Sequence, residues 1–381
     1  MISPRAFYEA LLDSGVNFVT GVPDSLLKEF CAFADAALPA ERHLIAANEG
    51  TAVGIAAGVQ LATGGVPLVY LQNSGLGNTV NPLLSLADPE VYGIPMVLLI
   101  GWRGEPGVQD EPQHVKQGRV SPELLKAMEI PCEILDGNPE VADRIARAAV
   151  EQALQRSGPV AILVRKGAFD KAEERRDPAP RGEDLLSREK AVEIVTSTLP
   201  KDATVVSTTG HISRELYEQR VRMGQDRSSD FLTVGCMGHA SQIALGIALT
   251  SGHPVVCLDG DGAALMHMGG LATIGTSGAD NYLHVVLNNG VHGSVGGQPT
   301  VAMDINLTEV ARACGYRAVR GPISGGNEIR SAIAGMLEEG GPAFVEIRVQ
   351  PGARADLGRP RETPTENKRM FVERLRSPSH G

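Results

Sequence analysis

Residues 255–301, VVCLDGDGAALMHMGGLATIGTSGADNYLHVVLNNGVHGSVGGQPTV, restrict this chain more than any other stretch. An apolar run at 255–258 has the length and composition of a buried parallel strand. It ends in Asp259-Gly260-Asp261-Gly262, a turn without bulky side chains. A helical segment is expected from Ala263 to about Ile274. A second apolar strand at 283–287 then ends in Asn288-Asn289-Gly290. The pattern places a carboxylate at the mouth of one strand and two amides at the mouth of the next. In an open α/β sheet, ligands bind at those strand ends.

These residue types suit a divalent cation holding a diphosphate. Magnesium favours six oxygen ligands and takes one or two carboxylates together with phosphate oxygens. Asp261 would supply a carboxylate, Asn289 an amide oxygen and Val291 a backbone carbonyl. The amides near Gly262 and Ala263, at a helix start, would face the phosphate oxygens, with Gly260 opening the turn. A GDG standing alone would read equally well as a surface turn.

The rest of the chain has room for such a site. Its 381 residues are enough for two or three domains, and 43% hydrophobic with 21% charged residues is ordinary for a globular protein. A net charge of −10 argues against a nucleic-acid partner. The cysteines Cys31, Cys132, Cys236, Cys257 and Cys314 form no CxxC and read as small core residues, pointing to a reducing, cytoplasmic location. No signal-peptide core and no run of about 18 apolar residues is present, so no membrane partner is expected.

Along the chain, short apolar runs alternate with amphipathic segments. Strands are expected at 18–20, 44–46, 68–71, 96–100, 132–134 and 160–164, with helices at 24–36, 50–61 and 140–155. Residues 170–188, DKAEERRDPAPRGEDLLSR, are charged and proline-bearing and read as a linker. The alternation then resumes, with strands at 204–206, 231–234, 255–258, 283–287, 317–319 and 343–347. The expected fold is α/β: two doubly wound parallel-sheet domains at 1–169 and 189–350, with a charged tail at 351–381.

A second chemical group stands in the first half. Glu49, in Ala46-Ala47-Asn48-Glu49-Gly50-Thr51-Ala52, closes a strand and opens a helix rich in small residues. Glutamate is common there as a partner of the helix dipole. It is also the group needed to exchange a proton with a ring nitrogen, since burial raises a carboxyl pKa.

Taken together, NEGTAVGIAAG and GDG followed after 25 residues by NN resemble the thiamine-diphosphate-dependent decarboxylases. The resemblance implies thiamine diphosphate and Mg2+ as cofactors, with no middle domain because the linker is short. It assigns Glu49 to the aminopyrimidine N1′ and Gly235 and Met237 to the segment cradling that ring. Gly210 and His211 become further diphosphate contacts. More narrowly, GVPDSLLKEF, QNSGLGNTVNPLLSL, GWRGEPGVQDEPQH, TTGHISRELYE and NNGVHGSVGGQPT are similar to the phosphonopyruvate decarboxylase family. The implied reaction converts 3-phosphonopyruvate to phosphonoacetaldehyde and carbon dioxide, in phosphonate and antibiotic biosynthesis. The resemblance also implies an obligate homo-oligomer, at least a dimer, in which Glu49 and Asp261 of different chains serve one cofactor.

A substrate with a carboxylate and a phosphonate needs cationic donors. The loop 101–121 carries Arg103, His114, Lys116 and Arg119 among acidic residues. His114 resembles a proton-handling histidine of related decarboxylases, and Arg103 is the candidate for the phosphonate. Asp24 and Ser25 are both candidates for a catalytic position. Asn73, Ser74 and Gln298 are further substrate candidates, and Arg214 reads as a surface arginine. Three rivals stand beside this reading: the same chemistry on 3-sulfopyruvate, a non-catalytic cofactor-binding chain, and a dinucleotide oxidoreductase. The last lacks the third glycine of its fingerprint after either Gly-x-Gly.

Overall fold

The structure, a computed structural model, describes residues 1–176 and 184–376. The chain divides into two compact units, Met1–Pro178 and Ala179–Gly381, at a point inside the expected linker. Residues 177–183 of that linker and 377–381 of the tail lie outside the described residues.

The first unit holds six parallel strands: β1 (Val16–Gly21), β2 (His43–Ile45), β3 (Val66–Gln72), β4 (Met96–Gly101), β5 (Cys132–Leu135) and β6 (Pro159–Val164). Their order across the sheet is β2-β1-β3-β4-β6-β5. Alternate residues enter two cores. Leu68, Tyr70, Val97 and Leu99 pack with Phe7 and Phe30 on one face. Val69, Leu71, Leu98 and Ile100 pack with Ala52 and Ala56 on the other. Coverage on both faces is why β3 and β4 read as unbroken apolar runs. Each aliphatic side chain so buried contributes about 1.5–3 kcal/mol.

The second unit repeats the plan with β7 (Thr204–Ser207), β8 (Asp230–Leu232), β9 (Val255–Gly260), β10 (Tyr282–Asn288), β11 (Ala318–Ile323) and β12 (Ala343–Arg348). The order is β11-β12-β10-β9-β7-β8, all parallel. Val256, Leu258, Val285 and Leu287 face one core, and Val255, Cys257 and Val286 the other. Both sheets reverse their winding between β1 and β3 and between β7 and β9, and again at the far edge where β6 and β12 step back inward; the first kind of switch point is where ligands bind at the carboxyl strand ends.

Several expected boundaries move. The helix expected from residue 24 begins at Lys28, because the Asp24 carboxylate accepts from the amides of Leu26 at 3.0 Å and Leu27 at 3.2 Å and holds a turn. The loop 101–121 ends early, in the helix Pro112–Ala127, with proline at its first position. The helix expected at 263–274 is two, Asp261–Met266 and Gly270–Gly275, interrupted where Gly269 and Gly270 follow His267. The tail does not stand apart: its helix Pro364–Arg376 lies against β8.

Candidate active site

In the first unit, four strand ends bring together the candidates. After β2, Asn48 caps the helix Glu49–Thr63 by accepting from the Thr51 amide at 2.9 Å. This sets Glu49 in the first turn, buried to 6% exposure. Its Oε2 accepts from Asn78 Nδ2 at 2.7 Å. Its other oxygen lies over Gly75: a Cβ at that position would stand 2.2 Å from Glu49 Oε1. The carboxylate is therefore seated on bare backbone and gripped from one side by an amide.

After β1, Asp24 is fully buried and takes a hydrogen bond from Gln72 Nε2 at 2.5 Å. Burial raises its pKa against the pull of Gln72 and the Leu26 and Leu27 amides. Ser74 Oγ, exposed, donates to Gln72 Oε1 at 2.7 Å, so Ser74 reaches Asp24 through Gln72. Asn73 is buried and braces the β4 end: its Nδ2 donates to the Arg103 carbonyl at 2.9 Å and to Ser121 Oγ at 3.0 Å. Its Oδ1 accepts from the Arg103 amide at 3.1 Å.

Arg103 does not extend freely. Its Nε donates to Asp110 Oδ2 at 2.8 Å, a second bond closes the fork on Asp110, and NH1 donates to Ser25 Oγ at 2.8 Å. Burial works against the charge on Asp110, yet Arg103 and the Gly104 amide hold its pKa below the usual carboxylate range. His114, at the start of the helix Pro112–Ala127, has its Nδ1 buried without a hydrogen-bond partner. Burial and the nearby Arg103 charge lower its pKa to about 4, so it is neutral above that pH. Lys116 and Arg119 lie exposed on the same helix.

In the second unit, Asp261 opens the helix Asp261–Met266 and is 3% exposed. Thr300 Oγ1 donates to its Oδ2 at 2.5 Å. Burial lifts its pKa to about 6, against the hydrogen bonds from Thr300 and the backbone amides of Asn289 and Gly262. Asn289 follows β10, buried, with its Oδ1 accepting from the Val291 amide at 3.1 Å. The chain then folds back. Val291 pairs with Pro299, the His292 amide donates to the Gln298 carbonyl at 2.8 Å, and the Thr300 amide to the Gly290 carbonyl at 2.9 Å. That return delivers Thr300 to Asp261. Gln298 is buried with its Oε1 unpartnered and its side chain folded over Gly296.

The remaining candidates border this hairpin. Gly210, at φ 101°, carries Ser294 Oγ 3.4 Å from where a Cβ would stand. A Cβ on Gly293 would lie 3.7 Å from Asn289 Nδ2, 3.9 Å from His211 Nδ1 and 4.0 Å from Arg188 NH1. A Cβ on Gly262 would lie 3.0 Å from His292 Nδ1 and 3.4 Å from Met237 Cε. So Gly210, His211, Met237, Asp261, Gly262 and Asn289 converge, and Ala263 is buried beside them. Gly235, Cys236 and Met237 follow β8, with Cys236 at φ 57°. Burial lowers both His211 and His292 to about 4, with Arg188 and Arg214 adding to the effect at His211. Arg214 itself turns away from the hairpin and donates to the carbonyls of Leu357 and Gly358.

Asp261, a carboxylate whose pKa burial raises to about 6, and the Asn289 amide oxygen offer oxygen ligands, which fits Mg2+. Reading the sequence missed Thr300, His292, Arg188, Gln72, Asn78 and Asp110. All but Arg188 lie inside motifs already singled out, but their partners are set by chain returns that leave no local signal.

Comparison with known proteins places two matches on these units. Residues 4–126 match a family described as "Thiamine pyrophosphate enzyme, N-terminal TPP binding domain". Residues 210–347 match "Thiamine pyrophosphate enzyme, C-terminal TPP binding domain". The chain is 39% identical over 400 residues to a phosphonopyruvate decarboxylase of Streptomyces viridochromogenes, covering 100% of this chain and 97% of the relative. It is 38% identical to a phosphonopyruvate decarboxylase of Streptomyces hygroscopicus, covering 98% and 94%. A sulfopyruvate decarboxylase of Methanosarcina acetivorans is 28% identical, covering 81% of each chain.

Proposed function

This chain belongs to the phosphonopyruvate decarboxylase family of thiamine pyrophosphate enzymes, and we propose on that premise that it converts 3-phosphonopyruvate to phosphonoacetaldehyde and carbon dioxide. The observation that carries this is the full-length likeness to two such decarboxylases, against the weaker and shorter likeness to a sulfopyruvate enzyme.

Thiamine diphosphate, when bound, supplies the electron sink that accepts the pair released with carbon dioxide. Asp261, Asn289 and the Val291 carbonyl would hold Mg2+, and Gly210, His211 and the amides at Gly262 and Ala263 would hold the diphosphate. Gly235 and Met237 would support the aminopyrimidine. Glu49 would share a proton with N1′ of that ring; its seat on Gly75 and Asn78 keeps the carboxylate in one place for the exchange. Arg103 would meet the phosphonate, held ready by Asp110 and Ser25. His114, neutral at working pH, would take or give a proton near the reacting carbons, with Asp24 as the second buried acid. We further propose a homo-oligomer, at least a dimer, in the cytoplasm, serving phosphonate biosynthesis.

The test is carbon dioxide release by the purified chain from phosphonopyruvate, sulfopyruvate and pyruvate, each with and without thiamine diphosphate and Mg2+. Phosphonopyruvate should have the highest kcat/KM, and only with both cofactors present. A higher value for sulfopyruvate would move the assignment to the sulfonate. Turnover of none of the three would remove the catalytic reading.

A further inference from the structure

We propose that residues 357–371 are a strap that fixes the outer edge of β8 and, through it, the backbone of Gly235, Cys236 and Met237. This deepens the reading of Gly235 and Met237 as the aminopyrimidine support and rests on it. β8 is the outermost strand of its sheet, so one row of its backbone groups has no strand neighbour. Asn367 takes that place. Its Oδ1 accepts from the Leu232 amide at 3.1 Å and its Nδ2 donates to the Asp230 carbonyl at 2.9 Å. One side-chain amide thus offers the donor and the acceptor that an added strand would offer. Phe371 packs on Phe231 with ring centroids 5.3 Å apart.

The approach to this helix is tied down separately. Arg214 Nε donates to the Gly358 carbonyl at 2.6 Å, the Gly358 amide donates to Glu218 Oε1 at 2.5 Å, and the Arg361 amide donates to Tyr217 Oη at 3.2 Å. Arg227 pairs with Glu362 at 2.8 Å. Tyr217, Leu232, Val234, Pro360, Pro364 and Met370 line a small apolar cavity between strap and strand. On the inner side, Thr233 Oγ1 donates to the Ser207 carbonyl at 2.8 Å. Residues 232–234 are therefore held from both sides immediately before Gly235. The next residue, Cys236, sits at φ 57°, where a non-glycine residue stays only if its surroundings fix it. Asn367 is a positioning residue: it lies on the outer edge of β8 and acts through that strand.

The experiment uses the full-length protein with Mg2+, measuring binding of thiamine diphosphate and, separately, of inorganic pyrophosphate by calorimetry. Pyrophosphate engages the Asp261 side alone and reports nothing of the ring support. Asn367→Ala should weaken thiamine diphosphate about tenfold, change the near-ultraviolet circular dichroism of the bound ring, and leave pyrophosphate affinity unchanged. Phe371→Leu, a milder change, should shift both ring readouts in the same direction. Unchanged thiamine diphosphate binding in both variants overturns the strap. An equal loss for both ligands overturns it too, since that is general loosening of the unit. Met237→Ala separates the two readings: if it leaves the ring readouts untouched, the ring support is misassigned, whereas a Met237 effect with none from Asn367 sinks the strap alone.

Discussion

The Glu49 carboxylate lies where a helix begins and the backbone of Gly75 passes beneath it. Replacing Glu49 by Gln preserves a polar group for Asn78 but removes the exchangeable proton. Fold and cofactor binding should persist while kcat falls about 10²–10⁴-fold. Steady-state carbon dioxide release beside calorimetry checks this; undiminished kcat would strip Glu49 of its role. Gly75→Ala tests the seat rather than the acid. Its Cβ would stand 2.2 Å from Oε1, so the carboxylate must move. We expect kcat to fall at least tenfold by the same steric displacement, with far-ultraviolet circular dichroism unaltered. Asp261 makes a pH prediction. Burial raises its pKa to about 6, so the carboxyl is protonated below that pH and must lose the proton to ligate a cation. Affinity for thiamine diphosphate with Mg2+ should therefore weaken as pH drops through 6, roughly tenfold per unit below it. Asp261→Asn should bind weakly at every pH, and a wild-type profile level from pH 7 to 5 would refute the ligand assignment.

Elements were legible where burial on both faces forces continuous apolar runs, as in β4 and β10. They were misread where a side chain overrides the local pattern. Asp24 takes the Leu26 and Leu27 amides that a helix from residue 24 would use. Gly269 and Gly270 break what the periodicity joins. The strand-end placement of the candidate residues was legible, because strand ends follow from the alternation itself. Their supporting groups were not: Thr300 reaches Asp261 only because residues 291–299 fold back, and nothing local announces that return. The same limit hid the state of Arg103, whose pairing with Asp110 bridges seven positions of loop. This loop carries the specificity prediction. Arg103→Met should raise KM for phosphonopyruvate about 10–100-fold through loss of charge-assisted bonds, and leave KM for pyruvate nearly unchanged. Equal effects on both substrates would place the phosphonate elsewhere.

At the scale of the molecule, the amino-terminal unit carries Glu49, the proposed acid, and the carboxy-terminal unit Asp261 and Asn289, the proposed cation ligands. The chain divides at a point inside the charged, proline-bearing stretch 170–188, but sequence periodicity says nothing about which copy's units cooperate. A symmetric dimer offers a direct way to ask. Suppose one cofactor is served by the first unit of one copy and the second unit of its partner. A mixed dimer of Glu49→Gln and Asp261→Ala chains then has one site with both defects and one site with neither. Random reassortment of equal amounts makes half the dimers mixed, so about a quarter of wild-type activity should return. Each variant alone should be nearly inactive. Were each cofactor served by a single chain, every site in the mixture would carry one defect and nothing would return. The readout is carbon dioxide release after the two inactive proteins are denatured together and refolded, with each refolded alone as the reference.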